Sequence, residues 1–256
     1  MAFKAQAIEV NGAPIGMKRG GSGPPLLYLH GTDGLTEWPE FLDLLALEYD
    51  VIAPDLPGFG SSPIPEWIDD VSDAAYFYLE VIEKLGLTDV RIVGHSLGAW
   101  IGMEMAIRSA ERLHSLVIIA AAGIHVKGVP KVDIYMIDPE EQARLAYADP
   151  TLGEAAAKRV TASKYQESAI LNRIASARFG WSPRLYNPRL ERWLHRIKMP
   201  TLIVWGDADL IIPPPYAHAF QRAIPGSHLE VIEHAGHMPH IEQCAKVHSL
   251  VQKHLA

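Results

Sequence analysis

Apolar residues in this chain gather into short continuous runs separated by polar stretches of helical period. Runs fit for buried strands occupy Pro25 to Leu29, Tyr49 to Ala53, Val90 to Val93, Leu113 to Ala121, the stretch after Pro200 and His228 to Ile232. Helices are expected between them: a short one over 39–47 opened by Pro39, then Glu66 to Leu85 stopping at Gly86, then Leu97 to about Arg108. Two more are expected from about Pro214 to Ala223 and from Pro239 to the C-terminus. At the front, residues 3–10 and 13–19 read as two strands around Asn11-Gly12, a dipeptide suited to a tight hairpin turn. Strands apolar throughout, alternating with helices, predict a mostly parallel sheet covered on both faces.

That alternation stops at Gly123, and residues 124–198 show no strand pattern. Glu140 to Tyr147, Glu154 to Phe179 and Arg189 to Ile197 read instead as amphipathic helices, separated by Pro150 and Pro183. The segment carries 13 Lys and Arg against 8 Asp and Glu, although the whole chain has a formal net charge of −7. Residues 124–198 are therefore expected to form a basic helical cap over an acidic core made of 1–123 and 199–256.

A net charge of −7 argues against nucleic acid or an anionic membrane as the main partner. One cysteine leaves no internal disulfide framework, and Cys244 reads as packing. The start, MAFKAQAIEV, has no long apolar stretch, and no uncharged run reaches the roughly 18 residues of a membrane span. A cytoplasmic protein, monomer or homodimer, is the expectation. The sequence shows no metal-ligand cluster or phosphate loop, so no metal and no cofactor are expected.

Ligands in such sheets sit beyond the carboxyl ends of the strands. Four informative loops follow strands and should converge there: His30 to Gly34, Gly94 to Gly98, Gly206 to Pro213 and His234 to Pro239. In VRIVGHSLGAWIGMEM a strand becomes a helix within five residues, around Gly94-His95-Ser96-Leu97-Gly98. A turn that sharp strains Ser96 and presents its hydroxyl, while the glycines let strand and helix approach. Serine needs a base to become nucleophilic, and the base needs an acid to fix its tautomer. His237, at the apex of the last loop, is favoured as base over His234 and His240; Asp209 is favoured as acid over Asp207, which can cap its own turn. The N–H groups of Leu97 and Thr32 are the expected oxyanion donors. His30 and Asp55 read as loop-securing residues, and Trp100 and Met103 as core. Asp33 is either a turn former or a pocket residue. Trp38, Trp181, Met238 and the further aromatics Tyr135, Tyr147, Phe179 and Tyr186 are candidate pocket walls, of which two or three are expected to serve.

The motifs LLYLHGTDG, DLPGFGSS, VGHSLGA, WGDADLIIP and HAGHMPHIEQ, in this order, resemble those of capped single-domain α/β-hydrolases over nearly the whole chain. The resemblance implies an α/β-hydrolase fold: an eight-stranded core, a cap inserted after strand six, Ser96 as nucleophile, Asp209 as acid and His237 as base. Serine at the elbow speaks against the dehalogenases and epoxide hydrolases of this fold, which use aspartate there. The activity implied is hydrolysis of a small or medium carboxylic ester through an acyl-enzyme. A carbon–carbon hydrolase of meta-cleavage products or an enol-lactonase is the alternative, but those carbon–carbon hydrolases often have asparagine before the serine and tryptophan after the histidine, where this chain has His95 and Met238. A ligand-binding receptor on the same scaffold is a third reading.

Overall fold

The structure is a computed structural model that describes residues 3–60 and 62–256. Ser61, in the DLPGFGSS motif, and Met1 and Ala2, at the head of the MAFKAQAIEV stretch, lie outside the described residues. The strands are β1 (Lys4–Val10), β2 (Ala13–Gly21), β3 (Pro25–Leu29), β4 (Asp50–Pro54), β5 (Val90–His95), β6 (Leu113–Ile119), β7 (Thr201–Gly206) and β8 (His228–Ile232). The helices are α1 (Glu40–Leu45), α2 (Val71–Lys84), α3 (Leu97–Arg108), α4 (Pro139–Leu145), α5 (Pro150–Thr161), α6 (Ser163–Gly180), α7 (Leu190–Trp193), α8 (Pro215–Ala223), α9 (Pro239–Glu242) and α10 (Cys244–Leu255).

The eight strands form one sheet in the order β1-β2-β4-β3-β5-β6-β7-β8. Only β2 runs against its neighbours; β3 to β8 pair in parallel. The β1–β2 turn has Asn11 at φ 50° and Gly12 at φ 76°, the left-handed pair that an Asn-Gly hairpin requires.

Strand alternation sorts the core into two layers. Leu27, Leu29, Ile92, Leu116, Ile118 and Ile203 pack with α2, α3 and α8. Their strand neighbours Leu26, Val51, Val93, Val117 and Val204 pack with α1 and α10. Both faces are thus sealed, and the exits left for loops are the strand ends.

Helix boundaries differ from expectation at four places. The helix expected from Glu66 starts at Val71, because the Asp70 side chain accepts from Ser72 N at 2.7 Å and Asp73 N at 3.1 Å and caps it there. The single helix expected over 154–179 is two helices, broken at Ala162, whose ψ of 135° is extended. Flanking Thr161 turns its hydroxyl back onto the carbonyls of Ala157 and Lys158, a local bond that competes with helix continuation. Pro150 opens α5 after Asp149 as cap and does not merely separate helices. The last helix is likewise interrupted at Gln243 (φ −122°, ψ 47°). The inserted helices α4 to α7 all lie in sequence between β6 and β7.

Candidate active site

The site is built at the carboxyl end of β5. Ser96 has φ 51° and ψ −111°, outside the conformations an L-residue adopts readily. It is held there from both sides: Ser96 N–H donates to Ile119 O at 2.9 Å, and Ser96 O accepts from Trp100 N at 3.1 Å and Ala122 N at 3.2 Å. The turn closes because Gly98 lacks a side chain; a Cβ there would lie 2.1 Å from Leu29 O. Leu97 is the first residue of α3, so its N–H has no acceptor within the helix.

The structure brings Ser96, His237 and Asp209 into one buried line. His237 Nδ1 lies 2.9 Å from Asp209 Oδ2, and its Nε2 lies 3.1 Å from Ser96 Oγ. A carboxylate only accepts, so Nδ1 carries the proton and Nε2 presents a lone pair to the hydroxyl. The other oxygen of Asp209 accepts from the N–H groups of Ile211 and Ile212, each at 2.9 Å. Burial pulls the His237 pKa down, but the charge and hydrogen bond of Asp209, with a smaller push from Asp33, carry it above the ordinary histidine value. Asp207 is used differently: its Oδ1 accepts from Ala235 N at 3.4 Å, within the adjoining loops.

Three further histidines surround this line. His95 Nε2 donates to the carbonyl of His237 at 3.0 Å, so the residue before the serine holds the backbone of the base. Burial pushes the His95 ring well below the usual range, and it is neutral. His30 Nδ1 donates to Gly31 O at 2.8 Å, while its Nε2 accepts from Leu56 N at 3.0 Å. It therefore joins the loop after β3 to the loop after β4, and burial lowers its pKa to about 4. His240, on α9, is buried against His95 and Phe41 and is pushed down to about 3. His234, at φ 57°, is exposed on the first turn of the loop.

A cleft of about 460 Å3 opens beside the strand-end loops, with His95, the residue before Ser96, in its lining. Its volume lies within the few hundred to about 1,000 Å3 typical of small-molecule sites. Thr32, Asp33, Trp38 and Met238 line it, with Tyr147 from the insertion. Gly31, also in the lining, lies against the serine: a Cβ added to it would be 3.2 Å from Ser96 Cβ. Asp33 faces the cleft, its Oδ1 accepting from Gln142 Nε2 at 3.1 Å and its carbonyl from Asn172 Nδ2 at 2.7 Å.

Trp181 is a correction. It follows α6 on the outer surface, 52% exposed, with the guanidinium of Arg184 stacked 3.7 Å from its ring centre. Its ring therefore faces solvent and an arginine, away from the cleft. Of the other aromatics, Phe179 is buried in the core, and Tyr135 and Tyr186 line a different cavity. Trp100 and Met103 are core residues.

Sequence reasoning missed Glu242. Its Oε1 accepts from Ala148 N at 2.8 Å and Asp149 N at 3.0 Å, and its Oε2 from Gly236 N at 2.6 Å. One carboxylate thus pins the inserted segment to the residue before His237. Gly236 permits this contact, since a Cβ would lie 2.7 Å from Ala146 O. The only sequence signal is one acidic residue, next to last in the HAGHMPHIEQ motif.

The alpha/beta hydrolase fold family profile matches residues 24–243. An uncharacterized protein of Mycobacterium tuberculosis is 31% identical, over 97% of this chain and 80% of its own. Lipase 1 of Psychrobacter immobilis is 26% identical, over 86% of this chain and 73% of its own. The 2-hydroxy-6-oxo-6-(2'-aminophenyl)hexa-2,4-dienoic acid hydrolase of Metapseudomonas resinovorans is also 26% identical, over 94% and 87%. Solved structures at 18–24% identity superpose over 97–100% of this chain, with TM-scores of 0.77–0.82. The chain belongs to the α/β-hydrolase family, and hydrolysis is the class of chemistry its relatives indicate. Among the described residues, no helix is long and apolar enough to cross a membrane.

Proposed function

We propose that this chain is a serine hydrolase of small to medium carboxylic esters. The observation that carries the reading is the continuous hydrogen-bonded line from Ser96 Oγ through His237 to Asp209. His237 Nε2 takes the hydroxyl proton as Ser96 Oγ attacks the ester carbonyl. The N–H groups of Leu97 and Thr32 receive the oxyanion, each donor lowering the barrier by about 2.7–4 kcal/mol. His237 then protonates the leaving alkoxide, giving an acyl-enzyme, and in the second half takes a proton from the water that releases the acid. Asp209 fixes the imidazole and stabilises its charged form. No step draws on a cofactor. Residues 124–198 act as the cap over a core of 1–123 and 199–256; in support, Tyr147 and Asn172 of that segment line the cleft beside Thr32 and Asp33. Trp38 and Met238 serve as its walls. The reading is completed by a cytoplasmic monomer or homodimer whose partner is a small-molecule ester, with nucleic acid and membrane set aside by the net charge of −7.

A carbon–carbon hydrolase of dienoic acids is the second reading, favoured by the similarity to the Metapseudomonas resinovorans enzyme. Such a substrate is an anion; Arg159 and Arg173 line the cleft together with Asp33, whose pKa burial raises, so the charge of the lining admits either substrate.

The test is hydrolysis of p-nitrophenyl esters from acetate to decanoate by wild type and Ser96→Ala in parallel. Turnover that peaks at one acyl length and drops at least about 10^4-fold in Ser96→Ala supports the ester reading. Equal activity in the variant sinks it, and an inert wild type that cleaves a dienoic carbon–carbon substrate replaces it with the second.

A further inference from the structure

A second cavity, of about 270 Å3, lies outside the Ser96 site. Residues 130–135, the turn at Arg184 to Tyr186, and Tyr216 at the start of α8 enclose it. Ile134 lines both this cavity and the cleft, but the strand-end residues Thr32, Asp33, His95 and Met238 that line the cleft do not line this one. The walls are fastened to the core: Val132 N donates to Ile211 O at 3.0 Å, and Tyr216 Oη donates to Val129 O at 3.0 Å.

The charges in the lining do not balance. Asp133 is its one carboxylate, and Arg184 Nε lies 2.9 Å from Asp133 Oδ2, so that pair neutralises itself. Lys131 is left over. Its Nζ donates to the neutral carbonyl of Leu185 at 2.8 Å and faces the rings of Tyr186 and Tyr216, with centres at 5.6 and 6.0 Å. Among the described residues it has no carboxylate within 4.0 Å. Burial lowers its pKa to about 8, and the charge of Asp133, beyond ion-pair distance, offsets only part of that. Two of its three N–H groups have no partner among these contacts. Tyr135 and Tyr216 commit their hydroxyls to the backbone carbonyls of Ser176 and Val129, so they offer the cavity ring surface and no polar donor. One cation without an ion-pair partner, between the rings of Tyr186 and Tyr216 and with the His125 ring tilted against Tyr186, matches a ligand with one negative end and a flat or branched apolar body.

We propose that this cavity binds a small aromatic or branched monocarboxylate, its carboxylate on Lys131 Nζ and its body against Tyr186 and Tyr216, independently of the Ser96 cleft. The site does not depend on the ester reading, though an acid released at Ser96 is of the class it would take.

Benzoate titrated calorimetrically into wild type, Lys131→Arg, Lys131→Met and Ala156→Trp, the last of which fills the Ser96 cleft, tests this. Expected is 1:1 binding retained in Lys131→Arg and Ala156→Trp and weakened at least tenfold in Lys131→Met, with a thermal melt confirming that the variant is folded. Benzamide, the neutral counterpart, is expected to bind wild type at least tenfold more weakly, a comparison that needs no variant. The proposal is overturned by wild type that does not saturate with benzoate, by benzamide binding as tightly, by a folded Lys131→Met that binds unchanged, or by loss of binding in Ala156→Trp.

Discussion

The floor of the cleft is held by backbone meeting backbone, whereas its roof hangs on a few polar side chains. On the floor, Gly98 and Gly206 sit where a Cβ would lie 2.1 Å from Leu29 O and 2.2 Å from Ala235 O. The ionisable groups there have their atoms committed: both oxygens of Asp209 and both nitrogens of His237 and of the loop-joining His30 are in use. The roof is looser. Helix α4 buries no residue and α5 buries only Gly153 and Ala157. On α6, Ile170, Leu171 and Ile174 are 54%, 46% and 61% exposed. What fastens the roof is Glu242 under α5, Asn172 on the Asp33 carbonyl, and Arg178 on the Ile68 carbonyl at 2.6 Å. Chemistry is therefore entrusted to packing that tolerates no change in volume, and selection of the substrate to contacts that can be rewritten singly.

Breaking the floor at one atom should have the largest effect. Asp209→Asn keeps the shape but removes the charge that fixes the imidazole tautomer, and esterase kcat is expected to fall about 10^4-fold with little change in melting. Retention of more than a tenth of the rate would show that another acid serves His237. Acid attacks the floor more broadly. His30 and His240 have folded pKa values lowered to about 4 and about 3, so the unfolded chain takes up protons below pH 6.5 that the native one refuses. Stability is then lost as pH falls from 6.5 towards 4, by about 2 kcal/mol for each of these histidines at pH 5. His95, also lowered, adds to the loss; His237, raised, opposes it, being stabilising below 6.5 and losing this as pH rises through its folded value. Denaturant unfolding at pH 7 and pH 5 reads the difference, and equal stability would mean charged partners form in acid. In the same enzyme the acidic limb of kcat/KM should fall above pH 6.5, since His237 must be neutral to act as base.

Loosening the roof should do less. Glu242→Ala leaves three N–H groups without their acceptor, an expected loss of about 2–3 kcal/mol and about 5–10 °C in melting temperature. Because Gly236 precedes the base, kcat should fall as well, about tenfold; a change in KM alone would show that the roof and the base loop are independent. The smallest effect is expected on the outer face: Ile174→Ser should change stability by no more than about 0.5 kcal/mol.

The same contrast decided what could be read from sequence. The strands of the floor were legible because burial on both faces demands continuous apolar runs, and Leu113 to Ala121 has no other use. Ser96, His237 and Asp209 were singled out because each sits on a strand-end loop within a motif that resembles those of α/β-hydrolases. In the roof the helices follow local rules that override the pattern, as where Thr161 and Ala162 split one expected helix into two. Trp181 was placed at the pocket by residue type alone, and nothing in the sequence says which way a ring on an exposed helix end turns. Glu242 acts across 94 positions on Ala148 N, a pairing that only the folded chain creates.

The strained turn at Ser96 has a consequence for the fate of mutations. At φ 51° a glycine would rest more easily than serine, so Ser96→Gly is expected to raise stability by about 1 kcal/mol and the melting temperature by a few degrees while abolishing turnover. The position that carries the proposed chemistry is thus one where an inactive descendant would be the sturdier protein. Screens that score folding or yield will enrich such losses, and only selection for turnover keeps the serine in place.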